Sequence, residues 1–277
     1  CHLEKHLNTF MLKKIRKTEN LKASILIANY NNGQHLKECI NSIKKQNYRN
    51  TEIIIHDDRS SDNSLKKLDK FRNIKIIKNK KRGSYGSFNQ MNAYYKAFKK
   101  SKGEILFLLD SDDFFKKNKI KFITNFFIKN KQISSLFDLP IYKYKKELKF
   151  IKNKKKIISN YWPYIPPQSC ITIKRDDFIK MFKKINFNLF PDIWMDFRIG
   201  LYQKYIKKDF NVLDKNLTYY RQSQSMISSN FKFLSFAWWK RRKQAHDYVQ
   251  YFFDKNRINH TKNLDYLLTH IIYFFIK

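Results

Sequence analysis

Apolar and polar positions in the first 110 residues alternate in blocks. ASILIANY (23–30) is an apolar run that gives way to Asn31, Asn32 and Gly33. TEIIIHDD (51–58), NIKIIKN (73–79) and GEILFLLD (103–110) repeat the pattern, and the first and last of these end on acids. Continuous apolar runs of this kind predict strands buried on both faces. Between them, Leu36, Cys39, Ile40 and Ile43 fall at i, i+3, i+4 and i+7, the spacing of an amphipathic helix. Ser61 or Asp62 stands where a second helix needs an N-cap, and residues 85–100 read as a third helix.

Strands alternating with helices predict an α/β protein with a mostly parallel sheet flanked by helices. Ligands of such sheets bind beyond the carboxyl ends of the strands. Three polar clusters would meet on that rim: Asn29-Tyr30-Asn31, Asp57-Asp58 and Asp110-Ser111-Asp112-Asp113. The second half is less regular. PPQSCITIKRDDF reads as a strand over 169–173 leading into a helix. FPDIWMDFRIGLYQKYI reads as a helix with Pro191 near its start and an apolar stripe of Met195, Ile199, Tyr202 and Ile206. Two further helices are expected over 231–254 and 263–276. No internal repeat and no linker-like composition interrupts the chain.

Composition narrows the field. A chain of 277 residues with 42% hydrophobic positions can bury a core, which excludes a disordered protein. Five Gly and five Pro are too few for a turn-rich all-β fold. The formal charge of +35 attracts polyanions: nucleic acid, anionic lipid or phosphorylated substrates. Cys1, Cys39 and Cys170 lack paired spacing, which points to a reducing, cytosolic compartment rather than a disulfide framework. His2 and His6 are four apart but no zinc motif surrounds them. No apolar window of about 18 residues or more predicts a membrane span, and no signal peptide is visible. The ten residues ahead of Met11 are left out of the fold argument.

With 23 acids against 58 Lys and Arg, three acids within 110–113 stand out. Two carboxylates one residue apart at a strand end can face one divalent cation, and Mg²⁺ or Mn²⁺ commonly bridges such carboxylates to substrate phosphates. A solvated turn or a helix N-terminus ahead of FFKKNKIKFI is the plain structural alternative. The position after a buried strand, beside two other polar strand ends, favours a site.

The segments SILIANYNN, IIIHDDRSSDNS, GEILFLLDSDD, PPQSCITIKR, WMDFRI and YYRQSQSMIS occur in this order. Together they resemble the inverting glycosyltransferases of family 2, of GT-A fold, over roughly residues 21–230. Ala28 stands where many members carry Pro or Thr. The resemblance implies a GT-A domain over 21–230, with a nucleotide-sugar half (21–115) and an acceptor half (116–230). An N-terminal extension (1–20) would precede it and a C-terminal helical segment (231–277) would follow.

It also implies roles. Ala28, Asn29 and Tyr30 would line the nucleotide pocket, and Asp58 would bond the uracil or other base, unless it merely caps a turn. Asp110 would contact ribose or diphosphate, Asp112 would bind Mn²⁺ or Mg²⁺, and Asp113 would support it. Arg221 would touch phosphate, or form a structural salt bridge. A carboxylate must take the acceptor proton; the implied base is Asp196, with Asp192 as the alternative. The activity implied is transfer from a nucleotide-diphosphate sugar, UDP foremost, to a hydroxyl of a glycan or lipid-linked acceptor.

Two other readings compete. A nucleotidyltransferase shares the fold style and metal but usually has a basic phosphate loop after its first strand, which ANYNNGQH lacks. A nucleic-acid-binding protein suits the charge, but no recognition motif is present. Finally, Trp238 and Trp239 beside Lys240, Arg241, Arg242 and Lys243 suit an anionic membrane surface. The expected location is cytoplasmic, peripheral at the inner face of the cytoplasmic membrane, with a lid packed on the domain as the alternative.

Overall fold

A computed structural model describes residues 20–152, 163–185, 187–222 and 232–277. The His2–His6 pair and most of the distal QSQSMIS run lie outside these residues. β1 (Ala23–Asn29), β2 (Thr51–Asp57), β3 (Ile74–Lys78) and β4 (Ile105–Asp110) form the expected parallel unit, in the order β3-β2-β1-β4. The order reverses between β1 and β4, which opens a crevice at their carboxyl ends. Their connections contain α1 (Leu36–Lys44), α2 (Ser64–Leu68) and α3 (Gly86–Lys100).

The strands divide two cores by simple alternation. Ile25 and Ile27 of β1 pack with Leu36, Cys39, Ile40 and Ile43 of α1 on one face. Leu26, one position out of phase, packs with Met91, Tyr94 and Ala97 of α3 on the other. This gives the three layers of an α/β protein, with the helices covering both faces. At the start of β4, a Cβ on Gly103 would sit 2.5 Å from Ser24 Oγ and 2.7 Å from the Lys22 carbonyl, so the strand can approach β1 only without a side chain there.

The second half extends the same sheet with mixed polarity. β5 (Phe114–Phe115), β6 (Ser135–Tyr144), β7 (Glu147–Phe150), β8 (Ile171–Lys174) and β9 (Val212–Arg221) complete it in the order β4-β8-β6-β9-β5, with β7 on β6. β6 and β9 carry charged and polar residues that hide them from a periodicity reading. Behind the acid loop, Lys119, the first residue of α4 (Lys119–Lys129), is fully buried against Asp138 of β6 at 2.6 Å. Its ammonium also donates to the Ser169 carbonyl at 3.0 Å and to Thr218 Oγ1 at 2.5 Å. Thr218 in turn donates to Asp138 at 2.6 Å. The buried charge is thus paired and hydrogen-bonded on several sides, the condition for tolerating it.

Some boundaries differ from expectation. The acids at 110–113 do not begin a helix: Phe114 and Phe115 pair with β9, and α4 starts only at Lys119. Asn63, not Ser61 or Asp62, holds the N-cap position of α2, while Asp62 accepts from the Ser64 N–H at 2.9 Å. After β8 come α5 (Arg175–Lys184) and α6 (Met195–Leu201), the latter continued by a π-helical turn over Tyr202–Lys207. Pro191 lies ahead of α6 rather than inside it. Two final helices, α7 (Phe236–Lys255) and α8 (Leu264–Ile276), follow. α7 docks on α6 through a third core that includes Phe197, Leu201, Ala245, Tyr248, Val249 and Phe252.

Candidate active site

The polar rim forms as the strand ends require. Asn29 is buried and donates to Asp57 Oδ2 at 2.7 Å, which also accepts from Ser60 Oγ at 2.7 Å. Asp57 is therefore a rim brace. Asp58 turns the other way and accepts from Asn79 Nδ2 and Arg82 Nη1, each at 2.6 Å. The Arg82 guanidinium lies 3.4 Å from the centre of the Tyr30 ring. An acid, a planar cation and an aromatic face thus stack at one end of the crevice, a surface suited to a flat heterocycle.

The acid loop is braced from three elements. Asp110 accepts from Gln90 Nε2 at 2.7 Å and Tyr94 Oη at 2.8 Å, both from α3. Its N–H donates to Ser169 Oγ at 3.0 Å, and that hydroxyl donates to Asp113 Oδ2 at 2.5 Å. Asp113 Oδ1 accepts from the Arg221 N–H at 2.8 Å. Arg221 Nε donates to the Asp112 carbonyl at 2.9 Å, and its Nη2 pairs with Glu38. Burial raises the pKa of all three acids; the charge of Asp112 raises Asp110 and Asp113 further. Such crowding is relieved when positive charge arrives.

A cavity of about 730 Å³ is lined by Ala28, Asn29, Tyr30, Asp58, Asp110, Asp112 and Asp196, among others. The structure therefore brings seven of the ten sequence candidates to one surface. The other three sit elsewhere. Asp113 is buried behind the loop, Arg221 clasps the loop from behind, and Asp192 accepts from Gln244 Nε2 at 3.2 Å. Asp196, in the first turn of α6, is half-buried on the cavity wall. Burial pushes it up to about 7, opposed by the Phe197 N–H and the charge of Arg241.

Among the described residues, no group of three or more His, Cys, Asp or Glu side chains is arranged to enclose a metal ion. Asp110 and Asp112 offer carboxylates to the cavity. Two carboxylates, with remaining oxygens coming from a substrate, fit the chemistry of Mg²⁺ or Mn²⁺ rather than a closed protein cage.

Sequence reasoning missed Arg82, Gln90, Tyr142, Trp194, Tyr220 and Arg241 on the cavity wall. Arg82 lies in a basic run with no local signal, and Arg241 lies in the basic cluster that suited a membrane surface. Trp194 and Tyr220 lie within WMDFRI and YYRQSQSMIS, whose acid and arginine drew the attention; nothing local marks Gln90 or Tyr142.

Fold, switch-point crevice and carboxylate rim define an α/β protein with an acid-lined cavity at the carboxyl ends of its parallel strands. The sequence profile described as glycosyl transferase family 2 matches residues 24–194. The chain belongs to that family. It is 34% identical over 102 residues to glycosyltransferase GlyG of Streptococcus pneumoniae, covering 35% of this chain and 32% of that protein. It is 29% identical over 240 residues to the UDP-Glc:alpha-D-GlcNAc-diphosphoundecaprenol beta-1,3-glucosyltransferase WfgD of Escherichia coli, covering 78% and 83%. The matched segments of the first curated relatives span only 32%, 37% and 18% of their lengths. The crystal structure of Staphylococcus aureus TarS with UDP-GlcNAc superposes with a TM-score of 0.58 at 16% identity, covering 91% of this chain and 73% of that one.

Proposed function

We propose that this chain is an inverting transferase that moves a sugar from a nucleotide-diphosphate sugar, preferably a UDP-sugar, to a hydroxyl of a glycan or lipid-linked acceptor. One observation carries the reading: a single cavity joins the Tyr30–Arg82–Asp58 stack, the Asp110–Asp112 pair and Asp196. The stack receives the base. Ala28 and Asn29 line the floor, and Asp110, held by Gln90 and Tyr94, meets ribose or diphosphate. Asp112, with Asp110 beside it, would hold Mn²⁺ or Mg²⁺, which when bound would supply positive charge against the leaving diphosphate. Asp113 and Arg221 keep that loop in shape through Ser169 and the Asp112 carbonyl.

Asp196 takes the proton of the attacking hydroxyl. A base titrating near neutrality both accepts the proton and is ionised at working pH. Attack from the face opposite the diphosphate inverts the anomeric configuration in one displacement. Asp192 is the weaker candidate, because it is not part of the cavity wall.

The acceptor belongs to surface-polysaccharide chemistry, in keeping with WfgD and with TarS, a poly(ribitol-phosphate) beta-N-acetylglucosaminyltransferase. The enzyme works in the cytoplasm at the inner membrane face. No helix among the described residues is long and apolar enough to cross a membrane. Of the basic tetrad 240–243, Arg242 pairs with Asp265, Lys243 pairs with Asp247 at 2.6 Å and Arg241 lines the cavity. The membrane-facing surface is instead α8, where Leu264, Phe274 and Phe275 are 69%, 78% and 79% exposed.

Melting temperature tests the donor class. UDP with Mn²⁺ is expected to raise it, followed by hydrolysis of one nucleotide sugar in a panel. A rise with NTP and Mg²⁺, or with single-stranded DNA, while UDP is inert, would replace this reading with a nucleotidyltransferase or a nucleic-acid-binding protein.

A further inference from the structure

α7 presents a charge where its pattern calls for an apolar side chain. Arg241, Ala245, Tyr248 and Phe252 fall at i, i+4, i+7 and i+11, the stripe that faces α6. Ala245, Tyr248 and Phe252 are buried in the third core. Arg241 continues that stripe toward the cavity, and its guanidinium lies 4.1 Å from the centre of the Trp194 ring. Its neighbours Arg242 and Lys243 point away, to α8 and along α7. Taking a guanidinium out of water is costly, and burial lowers the pKa of Arg241. The charges that act on it come from Asp196, Tyr220 and Asp192. Arg241 and its ring partner Trp194, two positions before Asp196 in the chain, line the same cavity as Asp196.

The charge inventory of that end says what the cation is for. Among the described residues of the cavity wall, the acids are Asp58, Asp110, Asp112 and Asp196, and the Lys or Arg residues are Arg82, which is tied to Asp58, and Arg241. A neutral sugar acceptor needs no cation beside its base. A phosphate brought near Asp196 would otherwise face carboxylates. A guanidinium on a rigid helix, backed by an aromatic ring and partly desolvated, offers a planar fork that matches phosphate oxygens.

We propose that Arg241, on its Trp194 platform, is an acceptor-side phosphate site, and that the acceptor carries a phosphate close to the hydroxyl that is glycosylated. This rests on the transferase reading above and adds the chemical class of the acceptor. Two sources share this chemistry: a sugar linked through diphosphate to a lipid, and a polyol-phosphate chain. Arg241 lies outside residues 24–194, the part matched by the family profile, whereas its platform Trp194 is the last residue of that part. The guanidinium is therefore a contribution of the C-terminal helix.

Calorimetry on the full chain saturated with UDP and Mn²⁺ tests it, with decyl diphosphate and ribitol 5-phosphate as probes and decanol and ribitol as neutral controls. One or both phosphate probes are expected to bind, and whichever binds more tightly identifies the source. Arg241→Gln should weaken that probe by about ten-fold or more, as for loss of a charge-assisted contact. Arg241→Lys should weaken it less, because charge is kept and the fork is lost. UDP affinity should stay within about two-fold in both variants, which also shows that they are folded. Equal probe binding by native protein and Arg241→Gln, or none by native protein that binds UDP, overturns the proposal. Failure of native protein to bind UDP overturns the transferase reading itself, and the acceptor site with it.

Discussion

Replacing Asp196 with Asn should make the protein more stable and nearly inactive. Burial pushes this carboxyl up to about 7, with Arg241 from α7 opposing and Asp110 from β4 adding to the shift. In an unfolded chain an aspartate titrates near about 3.9. Between those values the native state keeps a proton that the unfolded state has released, so stability falls as pH rises from about 4 to about 7 and does not return above. At about 1.36 kcal/mol per pH unit the gap corresponds to roughly 4 kcal/mol. The carboxylate is half-buried and opens on the cavity, so screening leaves about 1–2 kcal/mol to be measured. Urea unfolding at pH 4, 6 and 8 reads this directly. Asp196→Asn should match the native protein at pH 4 and exceed it by about 1–2 kcal/mol at pH 8. In parallel, transfer should drop by about 10²-fold or more while UDP still binds. The native kcat/KM should climb with pH toward a plateau above about 7, a limb that the variant lacks. A variant that is less stable than native at pH 8 would refute the desolvation argument. Full activity in Asp196→Asn with none in Asp192→Asn would move the base to Asp192.

Asp112→Asn should leave the fold intact and abolish Mn²⁺-dependent donor turnover; near-normal activity of the variant with Mn²⁺ removed would sink the metal assignment. Lys119→Met, which leaves Asp138 buried without its partner, should cost about 3–5 kcal/mol in denaturant unfolding, and a loss below about 1 kcal/mol would show that the pair is not holding the β6–β9 side together. Co-sedimentation should show salt-sensitive binding to anionic vesicles, reduced by Phe274→Ser with Phe275→Ser; equal binding to neutral and anionic vesicles, or none to either at low salt, would remove the membrane role.

β1, β2 and β4 were legible because they are parallel and largely buried on both faces. Ile25, Leu26 and Ile27 must all be apolar, since consecutive residues feed opposite cores. Acids that interrupt such runs at the strand ends then mark the rim. β6 and β9 were hidden because Asp138 and Thr218 satisfy a buried lysine, a requirement invisible until α4 is folded against them. Asp58 was legible as an acid at a strand end, but its partner Arg82 was not, since it lies 24 positions away in a basic run. For Arg241 the membrane surface and the packed lid stayed open for the same reason: a run of basic residues does not reveal which of them the helix turns inward.

The braces around the acid loop have a consequence for how the protein is made. The four parallel strands and the Tyr30–Arg82–Asp58 stack all come from residues 23–110, a contiguous stretch. Asp113 and Asp110, by contrast, are held by Ser169, and the Asp112 backbone by Arg221. A nascent chain emerging from its amino end folds domain-sized units in that order. Early in synthesis the acid loop is still unbraced, and Asp196, the proposed base, has not yet arrived. The cavity wall is therefore completed late, when β9 and α7 add Tyr220 and Arg241 to it.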